Sequence, residues 1–557
     1  MAPMSTRFTG RDAFLSLLAD EGVDHLFGNP GTTELAIMEA LGKRKDIRFV
    51  LGLQESIVVA MADGFARASN RLTACNVHVA PGLGNAMGSL FNAKFCGSPI
   101  ILTAGQQEQG HGLMEPLLYG PLVAMAQPLV KWALEVTRVE DLPRIIRRAA
   151  KVATAPPSGP VFIALPGDIL DGETELDLGS STRVEPGVRP TDELIARLAD
   201  RLLAARRPVI IVGGEVSRYD AWPECTALAE LLGAPVYQQT VPDAAHYPSA
   251  HRTFMGTLSR SQPKVREMLA QHDLLVSLGG DSLRMSVYNP VDALPQGMPV
   301  VQVSEVDWDI GKNFAAELAL NTNVKATLTA LLSRLRELID PARTAAARRS
   351  LDDLEKINWS ARRDRLQVEY ERASGNEPID PRFLMSRIAA ALPANAVVIE
   401  EAVSATSALL DMLPYRDPHS FMGLASGGIG FAMSGAIGAS LALPGRPVVA
   451  VVGDGSAMYS IQALWTAAHL NLPITYVILN NSSYRILKER MVAMRGARAF
   501  GGMDFREPAI DFKAMAAALG VSARTVRDPG EIDAALQEAI AAGSPRLVEF
   551  IVADGFQ

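Results

Sequence analysis

Two short polar turns follow neighbouring apolar strands in the last third of the sequence. Asp454 lies two residues after the apolar run 448–452, and Asn481 lies two residues after the run 475–479. Because the carboxyl ends of parallel strands meet at one edge of a sheet, we expect these two side chains to lie close together. A carboxylate oxygen, an amide oxygen and a backbone carbonyl, which we assign to Ser483, are ligands that suit Mg²⁺. The pattern therefore predicts a magnesium site.

Glycines surround the predicted cation ligand. Gly453 and Gly455 flank Asp454, and residues without a β-carbon let a backbone come close to a phosphate. A helix is predicted over 458–469, and the free N–H groups at its start would face the same anion. The Gly-Asp-Gly motif alone is equally compatible with a plain strand-to-helix turn. Its combination with the Asn-Asn motif at Asn480 favours a site for Mg²⁺ and a diphosphate.

The two motifs together resemble the diphosphate-binding signature of enzymes that depend on thiamine diphosphate. Such enzymes also need a carboxylate beside the pyrimidine ring of the coenzyme, on a separate domain. Glu55, at the start of the otherwise apolar helix predicted over 55–68, is the candidate. Burial favours the protonated carboxyl, which can share a proton with pyrimidine N1′ and so activate the 4′-amine that deprotonates the thiazolium ring. The alternative is a glutamate that only stabilises a helix N-terminus.

Further motifs resemble the benzoylformate decarboxylase and acetolactate synthase group of thiamine-diphosphate enzymes over essentially the whole chain, and most of all benzoylformate decarboxylase. The similar stretches are 28–35, 53–55, 62–66, 81–85 and 103–106 in the first third, and 427–432 and 464–468 in the last third. The resemblance implies an α/β fold of three doubly wound parallel-sheet domains, in the order pyrimidine, middle and diphosphate.

The resemblance also assigns coenzyme contacts to individual residues. Ile429 falls where the group has a bulky apolar residue that holds the coenzyme bent, and the Gly427 carbonyl is expected to accept a hydrogen bond from the 4′-amine. The other positions expected to contact the coenzyme are Asn29, Ser404, Gly453, Gly455, Ser456, Ala457 and Tyr484. The group places the counterpart of Glu55 on one subunit and the diphosphate motif on its neighbour. A catalytic homodimer, commonly doubled to a homotetramer, is therefore expected.

The substrate side of the expected site rests on a few polar residues. His78 follows a predicted strand and matches a catalytic histidine of benzoylformate decarboxylase; a lone strand histidine is otherwise often a core residue. Thr32 keeps the hydroxyl of a substrate-contacting serine. Ser286 stands where benzoylformate decarboxylase has a second histidine, and serine cannot protonate a carbanion at neutral pH. His111 could replace that histidine, or it could be an ordinary loop residue.

A basic stretch follows the Asn-Asn motif. Arg485, Lys488 and Arg490 lie on one predicted helix, in a stretch that is more apolar in benzoylformate decarboxylase. They could bind an anionic tail of the substrate, or they could form an ordinary solvated helix face.

The elements that must position these residues alternate between short β-branched strands and amphipathic helices, a pattern typical of parallel α/β sheets. Changes in this pattern predict a pyrimidine-binding domain over 1–180 and a middle domain over 190–340. A charged helical linker is predicted over 341–376, and a domain that binds diphosphate and Mg²⁺ over 377–557.

Composition excludes several other classes of protein. The 557 residues include 53 Lys plus Arg and 61 Asp plus Glu, and the net charge of −8 argues against nucleic-acid binding. The three cysteines are far apart, which excludes a disulfide framework and a cysteine-based zinc site. No apolar run reaches the roughly 18 to 20 residues of a membrane span, and no signal peptide is recognisable. We therefore expect a soluble cytoplasmic protein.

These observations predict a thiamine-diphosphate- and Mg²⁺-dependent 2-oxo acid decarboxylase that could also join the product to an acceptor aldehyde. One alternative is an acetolactate-synthase-like carboligase, which would also bind a flavin across the middle domain. A 2-hydroxyacyl-CoA lyase is less favoured, because few residues follow the last predicted strand to cover CoA. A nicotinamide dehydrogenase is disfavoured because no GxGxxG motif is present, and a non-catalytic relative because Glu55, Asp454 and Asn481 are intact.

Overall fold

Three parallel sheets of six strands each organise the chain, which the computed structural model describes over residues 6–185 and 187–556. The three sheets are formed by three successive parts of the chain. Within each sheet, helices connect the parallel strands. The prediction of three α/β domains with parallel sheets is confirmed. In that same described part of the chain, no helix has both the length and the apolar character to cross a membrane.

The first domain contains eight strands in its described residues, and six of them form the parallel sheet. Its strands are β1 (Thr6–Thr9), β2 (His25–Gly28), β3 (Arg48–Leu51), β4 (Thr73–Val77), β5 (Ile100–Gln106), β6 (Ala133–Glu135), β7 (Val161–Pro166) and β8 (Glu173–Leu176). Its helices are α1 (Gly10–Asp20), α2 (Leu35–Leu41), α3 (Glu55–Ser69), α4 (Val79–Cys96), α5 (Leu122–Ala126), α6 (Leu142–Thr154) and α7 (Gly167–Asp171). The sheet has the order β3-β2-β4-β5-β7-β6, and β1 pairs antiparallel with β8. The order reverses between β2 and β4, so the residues that follow these two strands flank one crevice.

The middle domain repeats this architecture. Its strands are β9 (Pro208–Val212), β10 (Val236–Gln238), β11 (Phe254–Thr257), β12 (Leu274–Leu278), β13 (Val300–Ser304) and β14 (Leu318–Asn321). Its helices are α8 (Asp192–Ala204), α9 (Gly214–Arg218), α10 (Trp222–Leu232), α11 (Gln262–Leu269) and α12 (Val324–Leu338). The sheet has the order β11-β10-β9-β12-β13-β14, and its order reverses between β9 and β12.

Two helices connect the middle domain to the last domain, α13 (Pro341–Glu355) and α14 (Trp359–Glu371). Both helices are rich in charged residues, yet each contributes apolar side chains to the interior. Trp359 is buried, and its indole N–H donates a hydrogen bond of 3.0 Å to the Leu410 carbonyl of the last domain. These helices therefore fix the last domain against the rest of the chain.

The last domain carries the predicted cation-binding turns. Its strands are β15 (Val397–Glu401), β16 (Phe421–Met422), β17 (Val448–Gly453), β18 (Ile474–Asn480), β19 (Ser522–Val526) and β20 (Arg546–Ile551). Its helices are α15 (Pro381–Ala391), α16 (Thr406–Met412), α17 (Ala432–Ala442), α18 (Asp454–Ala457), α19 (Ala463–His469), α20 (Arg485–Arg495), α21 (Phe512–Ala518) and α22 (Ile532–Ala541). The sheet has the order β16-β15-β17-β18-β20-β19, and its order reverses between β15 and β17. Strands buried on both faces explain the continuous apolar runs.

The helix after the Gly-Asp-Gly motif differs from the prediction. It begins at Asp454 instead of Met458, and it is interrupted after four residues. Residues 458–462 form tight turns in which N–H groups bond to carbonyls three residues earlier, and α19 resumes at Ala463. Ser460 and Ile461 are buried whereas Tyr459 is exposed, so the packing of this segment, and not its helix propensity, decides where the helix is interrupted. The prediction that a continuous helix begins at Met458 and points the positive end of its dipole at the anion is therefore wrong.

Helices α3 and α17 pack the first domain against the last through glycines. A β-carbon on Gly64 would lie 2.2 Å from the Gly435 carbonyl oxygen, and one on Gly438 would lie 2.0 Å from the Met61 carbonyl oxygen. Both distances are far below van der Waals contact, so the two helix backbones touch. The buried apolar cluster of the first domain continues across this contact into the last domain.

We expect Gly438→Ala to destabilise the protein by about 1–3 kcal/mol, because the added methyl group overpacks this helix contact. The measurement is the thermal unfolding temperature, followed by circular dichroism. Gly84→Ala is the matched control, since a β-carbon at that helical glycine meets no atom within 4 Å. Equal unfolding temperatures for the two variants would contradict the assigned helix contact.

Candidate active site

The structure brings the two predicted cation-binding turns together. Asp454 follows β17 and Asn481 follows β18, and these two strands are parallel neighbours. The Asp454 carboxylate is only 2 % exposed. Its Oδ2 accepts hydrogen bonds from the backbone N–H groups of Asn481 at 2.8 Å and Ser482 at 2.7 Å, and its Oδ1 accepts one from Gly455 at 2.7 Å. The carboxylate thus ties both turns into one loop structure.

The donor set of this loop fits a hard divalent cation. Burial raises the pKa of Asp454 to about 6, although its hydrogen bonds from backbone N–H groups act in the opposite direction. A cation beside the carboxylate would supply the positive charge that this buried group lacks. Within residues 6–185 and 187–556, no three His, Cys, Asp or Glu side chains are grouped to hold a metal ion. A cation at Asp454 therefore needs amide and backbone oxygens, such as those of Asn481 and Ser483, as further ligands.

Strained backbone marks the same edge of the sheet. Ser482 lies between the two expected ligands with φ +52°, and Val403 lies directly before Ser404 with φ +55°. A left-handed conformation costs a residue with a side chain roughly 1–3 kcal/mol and often occurs at functional sites. Ser404 follows β15 and Gly453 ends β17, and the sheet order reverses between these two strands. This crevice is where open α/β sheets bind their ligands.

The Gly-Asp-Gly turn leaves little room on one side. A β-carbon on Gly455 would lie 2.9 Å from the ring of Tyr484, which itself packs edge-to-face against Phe505. Ser456 and Ala457 are buried directly after it. The absence of a side chain at Gly455 therefore lets the backbone lie against the aromatic pair while its other side faces the crevice.

The loop 425–432 is held by side chains that sequence reasoning missed. Glu401 is buried at the end of β15, and its two oxygens accept the backbone N–H groups of Gly430 at 2.5 Å and Ala432 at 2.7 Å. Asn92 of the first domain accepts the N–H groups of Ala425 at 3.2 Å and Ser426 at 3.3 Å. The only sequence signal for Glu401 and Asn92 is that each is an acidic or amide residue in an otherwise apolar segment.

Two residues that are predicted to contact the coenzyme, Gly427 and Ile429, lie between the two ends of this loop. Gly427 has φ +78°, which disfavours any residue with a side chain, and a β-carbon there would meet no atom within 4 Å. Ile429 is partly buried two residues later. The loop is therefore fixed at both ends and leaves open space beside Gly427, which fits an approach by a bound ring system.

Glu55 lies in the first domain, at the first residue of α3. It is 8 % exposed, and its Oε1 and Oε2 accept hydrogen bonds from the side-chain amides of Asn29 at 3.1 Å and Asn85 at 3.0 Å. The side chain of Gln54, not Glu55, caps the helix, because its oxygen accepts the N–H groups of Ser56 and Ile57. This arrangement disfavours the alternative in which Glu55 only stabilises the helix N-terminus.

His78 follows β4 and precedes α4, in the crevice where the order of the first sheet reverses. Its Nδ1 lies 2.8 Å from Oε2 of Glu34, a fully buried carboxylate that also accepts the N–H groups of Gly31 and Gly105, each at 2.8 Å. A β-carbon on Gly31 would lie 2.2 Å from the imidazole ring. The next residue, Val79, has φ +40°, a strained conformation for a β-branched residue. Sequence reasoning missed Glu34, because its partners come from three separate segments of the chain, at 31–33, 78 and 105.

We expect Glu34→Gln to lower kcat by about 10- to 100-fold, because a misplacement of about 1 Å in a catalytic group can cost this much. The amide of Gln would turn an N–H donor toward a backbone N–H or toward His78, and the imidazole would lose its fixed orientation. The measurement is kcat at a saturating concentration of the expected 2-oxo acid substrate. Glu39→Gln, which changes an exposed glutamate on α2, serves as the control. A wild-type kcat for Glu34→Gln would refute this positioning role.

The other predicted substrate residues lie in exposed positions. Thr32 is exposed on a short turn, whereas the neighbouring Thr33 places its hydroxyl 3.2 Å from Nδ1 of His78. His111 is exposed on the turn 109–114. Ser286 is exposed on the loop after β12. Within one chain, the hydroxyl beside His78 is therefore that of Thr33 and not that of Thr32.

The basic helix α20 is largely engaged in internal ion pairs. Arg485 pairs with Glu489 at 2.9 Å, and its guanidinium also donates to the Ala553 carbonyl at 3.0 Å. Lys488 is 2 % exposed and pairs with Asp504 at 2.7 Å and Asp554 at 2.9 Å. These contacts argue against a role in substrate binding for both residues. Arg490 is exposed on the same helix.

The two halves of the expected coenzyme site use separate sets of contacts within one chain. The hydrogen bonds of Glu55 go to Asn29 and Asn85 of its own domain. Those of Asp454 go to Gly455, Asn481 and Ser482 of the last domain. Among the described residues, no hydrogen bond joins the carboxylate of Glu55 to either cation-binding turn.

Three family models match the chain in sequence order. They are the N-terminal TPP binding domain of thiamine pyrophosphate enzymes at residues 8–116, the central domain at 195–331 and the C-terminal TPP binding domain at 402–550. Each match falls on one of the three parallel sheets.

Curated relatives resemble the chain over nearly its whole length. Benzoylformate decarboxylase of Pseudomonas aeruginosa is 33% identical, over 97% of this chain and 98% of the relative. Acetolactate synthase of Mycobacterium bovis is 26% identical, over 98% of this chain and 88% of the relative. A probable 2-ketoarginine decarboxylase of Pseudomonas aeruginosa is 28% identical, over 99% of this chain and 95% of the relative.

Solved structures agree with these sequence relationships. The thiamine diphosphate-dependent 4-hydroxybenzoylformate decarboxylase of Rhodococcus jostii superposes with a TM-score of 0.86 at 29% identity, covering 98% of this chain and 99% of the other. Benzoylformate decarboxylase from Polynucleobacter necessarius superposes with a TM-score of 0.87 at 28% identity, with the same coverage.

Proposed function

The chain belongs to the thiamine pyrophosphate enzyme family, and from this premise we propose that it is a Mg²⁺-dependent 2-oxo acid decarboxylase similar to benzoylformate decarboxylase. The observation that carries the proposal is the buried carboxylate of Asp454, which joins the two turns after β17 and β18. Asp454, Asn481 and the carbonyl of Ser483 would hold the cation. Ser404, Gly453, Gly455, Ser456, Ala457 and Tyr484 would surround the diphosphate.

Residues of the first domain would act on the ring end of the coenzyme, which supplies the nucleophilic carbon and the electron sink for loss of CO₂. Glu55 would hold a proton at pyrimidine N1′. Asn29 and Asn85 orient the Glu55 carboxyl through one amide hydrogen bond to each oxygen. Gly427 and Ile429 of the fixed loop would contact the same ring system from the other side.

His78 would donate a proton to the substrate carbon after CO₂ has left, which is needed before an aldehyde can be released. Because Glu34 engages Nδ1, the Nε2 nitrogen of the imidazole is left to face the substrate. Thr32 and the exposed Ser286 add no group that titrates near neutral pH. His78 is therefore the proposed proton donor, and slow protonation would favour addition to an acceptor aldehyde as a second outcome.

The site requires two copies of the chain in this proposal. Glu55 and Asp454 make their hydrogen bonds in different domains, and a neighbouring subunit would bring the ring end and the diphosphate end to one coenzyme. A homodimer is then the smallest active unit, and a homotetramer of two such dimers is the proposed assembly. The proposed domain limits remain 1–180, 190–340 and 377–557, with the linker 341–376 between the last two.

A panel of 2-oxo acids tests the proposed reaction. Release of CO₂ and formation of the aldehyde are measured with and without thiamine diphosphate and Mg²⁺, for aromatic, aliphatic and acidic side chains. We expect product only when both the coenzyme and the cation are present. A panel that gives no CO₂ under any condition would overturn the decarboxylase assignment.

An acetolactate-synthase-like carboligase with a bound flavin is the second candidate, favoured by one cavity in the middle domain. A cavity of about 590 Å³ lies at the carboxyl edge of the middle sheet and reaches the first domain. It is lined by glycines after β9 and β12, by the cationic side chains of Arg218 and Lys312, and by the exposed Trp308. Purified protein with the absorption spectrum of a flavin would support this candidate, and a colourless protein that releases aldehyde would support the decarboxylase.

A further inference from the structure

The hydroxyl group of Ser483 lies between two competing acceptors. Its Oγ is 2.7 Å from Oδ1 of Asp554 and 3.0 Å from Oδ1 of Asn481. A serine hydroxyl has a single hydrogen, so it can donate to only one of them at a time. The side chain of Ser483 is buried, so the two acceptors compete for its hydrogen within the protein interior.

The amide oxygen of Asn481 has one position left for a further partner. It already accepts the backbone N–H of Ser483 at 3.0 Å. A carbonyl oxygen has two lone pairs, so one remains. In the proposed function this lone pair binds the cation, and a hydrogen bond from the Ser483 hydroxyl would compete for it directly.

Asp554 is held so that it attracts the hydroxyl hydrogen. It is 2 % exposed, and its Oδ2 accepts hydrogen bonds from Lys488 and Arg506, each at 2.9 Å. A carboxylate beside two cationic side chains is a stronger acceptor for a hydroxyl than a neutral amide, and the shorter of the two Ser483 distances is the one to Asp554. The chain just before it is fixed to the end of β18, because the N–H of Val552 donates to the Asn480 carbonyl at 2.9 Å.

We propose that Asp554 is a positioning residue for the cation: it takes the hydroxyl hydrogen of Ser483 and so keeps the second lone pair of Asn481 free for Mg²⁺. The inference rests on the proposed function and adds a residue to it that lies far from the cation-binding turns in sequence. Lys488 then has a defined task, since it fixes the carboxylate of Asp554 instead of contacting substrate.

The test is the affinity for Mg²⁺, titrated in the presence of thiamine diphosphate and followed by the fluorescence of the protein's tryptophans. We expect Asp554→Ala to weaken Mg²⁺ binding about tenfold, because the Ser483 hydroxyl then donates to Asn481. The double variant Asp554→Ala with Ser483→Ala should regain nearly the affinity of the Ser483→Ala single variant, because no hydroxyl remains to compete. The Ser483 carbonyl is present in all of these variants.

Two further measurements separate this role from a structural one. Asp504→Ala removes the other carboxylate partner of Lys488 without touching the Ser483 hydroxyl, and we expect it to leave Mg²⁺ affinity unchanged. Unfolding temperatures without ligands should fall similarly in Asp554→Ala and in the double variant. Both lose Asp554, which is one of the two carboxylates that pair with buried Lys488. Only the affinity for Mg²⁺ should recover in the double variant.

Wild-type affinity in Asp554→Ala, or a double variant as weak as Asp554→Ala, would overturn the proposal while leaving the proposed function intact. If the wild-type protein itself shows no Mg²⁺-dependent binding of thiamine diphosphate, the proposed function fails and this inference fails with it.

Discussion

Glu55→Gln is expected to lower the rate of decarboxylation by about 10²- to 10⁴-fold, the usual contribution of a positioned acid or base. Glutamine has the shape of glutamate but cannot hold and return a proton at pyrimidine N1′. Its amide would also turn N–H donors toward the amide of Asn29 or Asn85, which both donate to Glu55. The measurement is kcat at saturating coenzyme, Mg²⁺ and substrate.

Coenzyme affinity distinguishes loss of chemistry from loss of binding. We expect Glu55→Gln to retain most of the affinity for thiamine diphosphate, because in the proposed function the last domain holds the diphosphate. Glu140→Gln, which changes an exposed glutamate of the same domain, should behave like the wild type in both measurements. A fully active Glu55→Gln variant would refute the assigned proton relay.

Asp454→Asn is expected to weaken Mg²⁺ binding by at least about 100-fold, since even partners behind a metal ligand contribute 10- to 100-fold. The variant loses the only charged ligand of the proposed site. Its amide would also direct an N–H group at the backbone N–H donors of Gly455, Asn481 or Ser482. The two turns would then separate, and the coenzyme would be lost together with the cation.

Equilibrium dialysis of Mg²⁺ and of thiamine diphosphate against the purified variant measures this loss directly. Asp353→Asn changes an exposed aspartate on α13 and serves as the control for a change of charge alone. Retention of Mg²⁺-dependent coenzyme binding by Asp454→Asn would contradict the role of Asp454 as a cation ligand, on which the proposed function rests.

The position of the two polar turns at one sheet edge could be predicted from the sequence because each turn is a local feature. Apolar runs buried on both faces are read directly as parallel strands, and the polar residue after each strand falls at the sheet edge. The helix after Asp454 could not be predicted in detail. Its interruption at 458–462 depends on how Tyr459, Ser460 and Ile461 pack, which the local pattern does not contain.

The basic residues of α20 show the limit of reading charge from sequence. Three cations on one helix are compatible with a substrate site, a solvated face or internal ion pairs. The structure pairs Lys488 with Asp554, a residue 66 positions away along the chain. No local pattern encodes this pairing, because the interaction exists only after β20 lies beside β18.

The sequence by itself determined which side chains have the chemistry that the proposed function requires: oxygen ligands for a cation, glycines beside a diphosphate and a carboxylate that can hold a proton. It also determined the alternation of strands and helices that places the two polar turns at strand ends. Tertiary structure alone decided how those groups are oriented. Glu34 fixes His78, Glu401 and Asn92 fix the loop around Gly427, and Asp554 fixes the Ser483 hydroxyl. The reason is physical: a side chain's chemistry is a property of one residue, whereas its orientation is set by hydrogen bonds from segments that meet only when the sheets have formed.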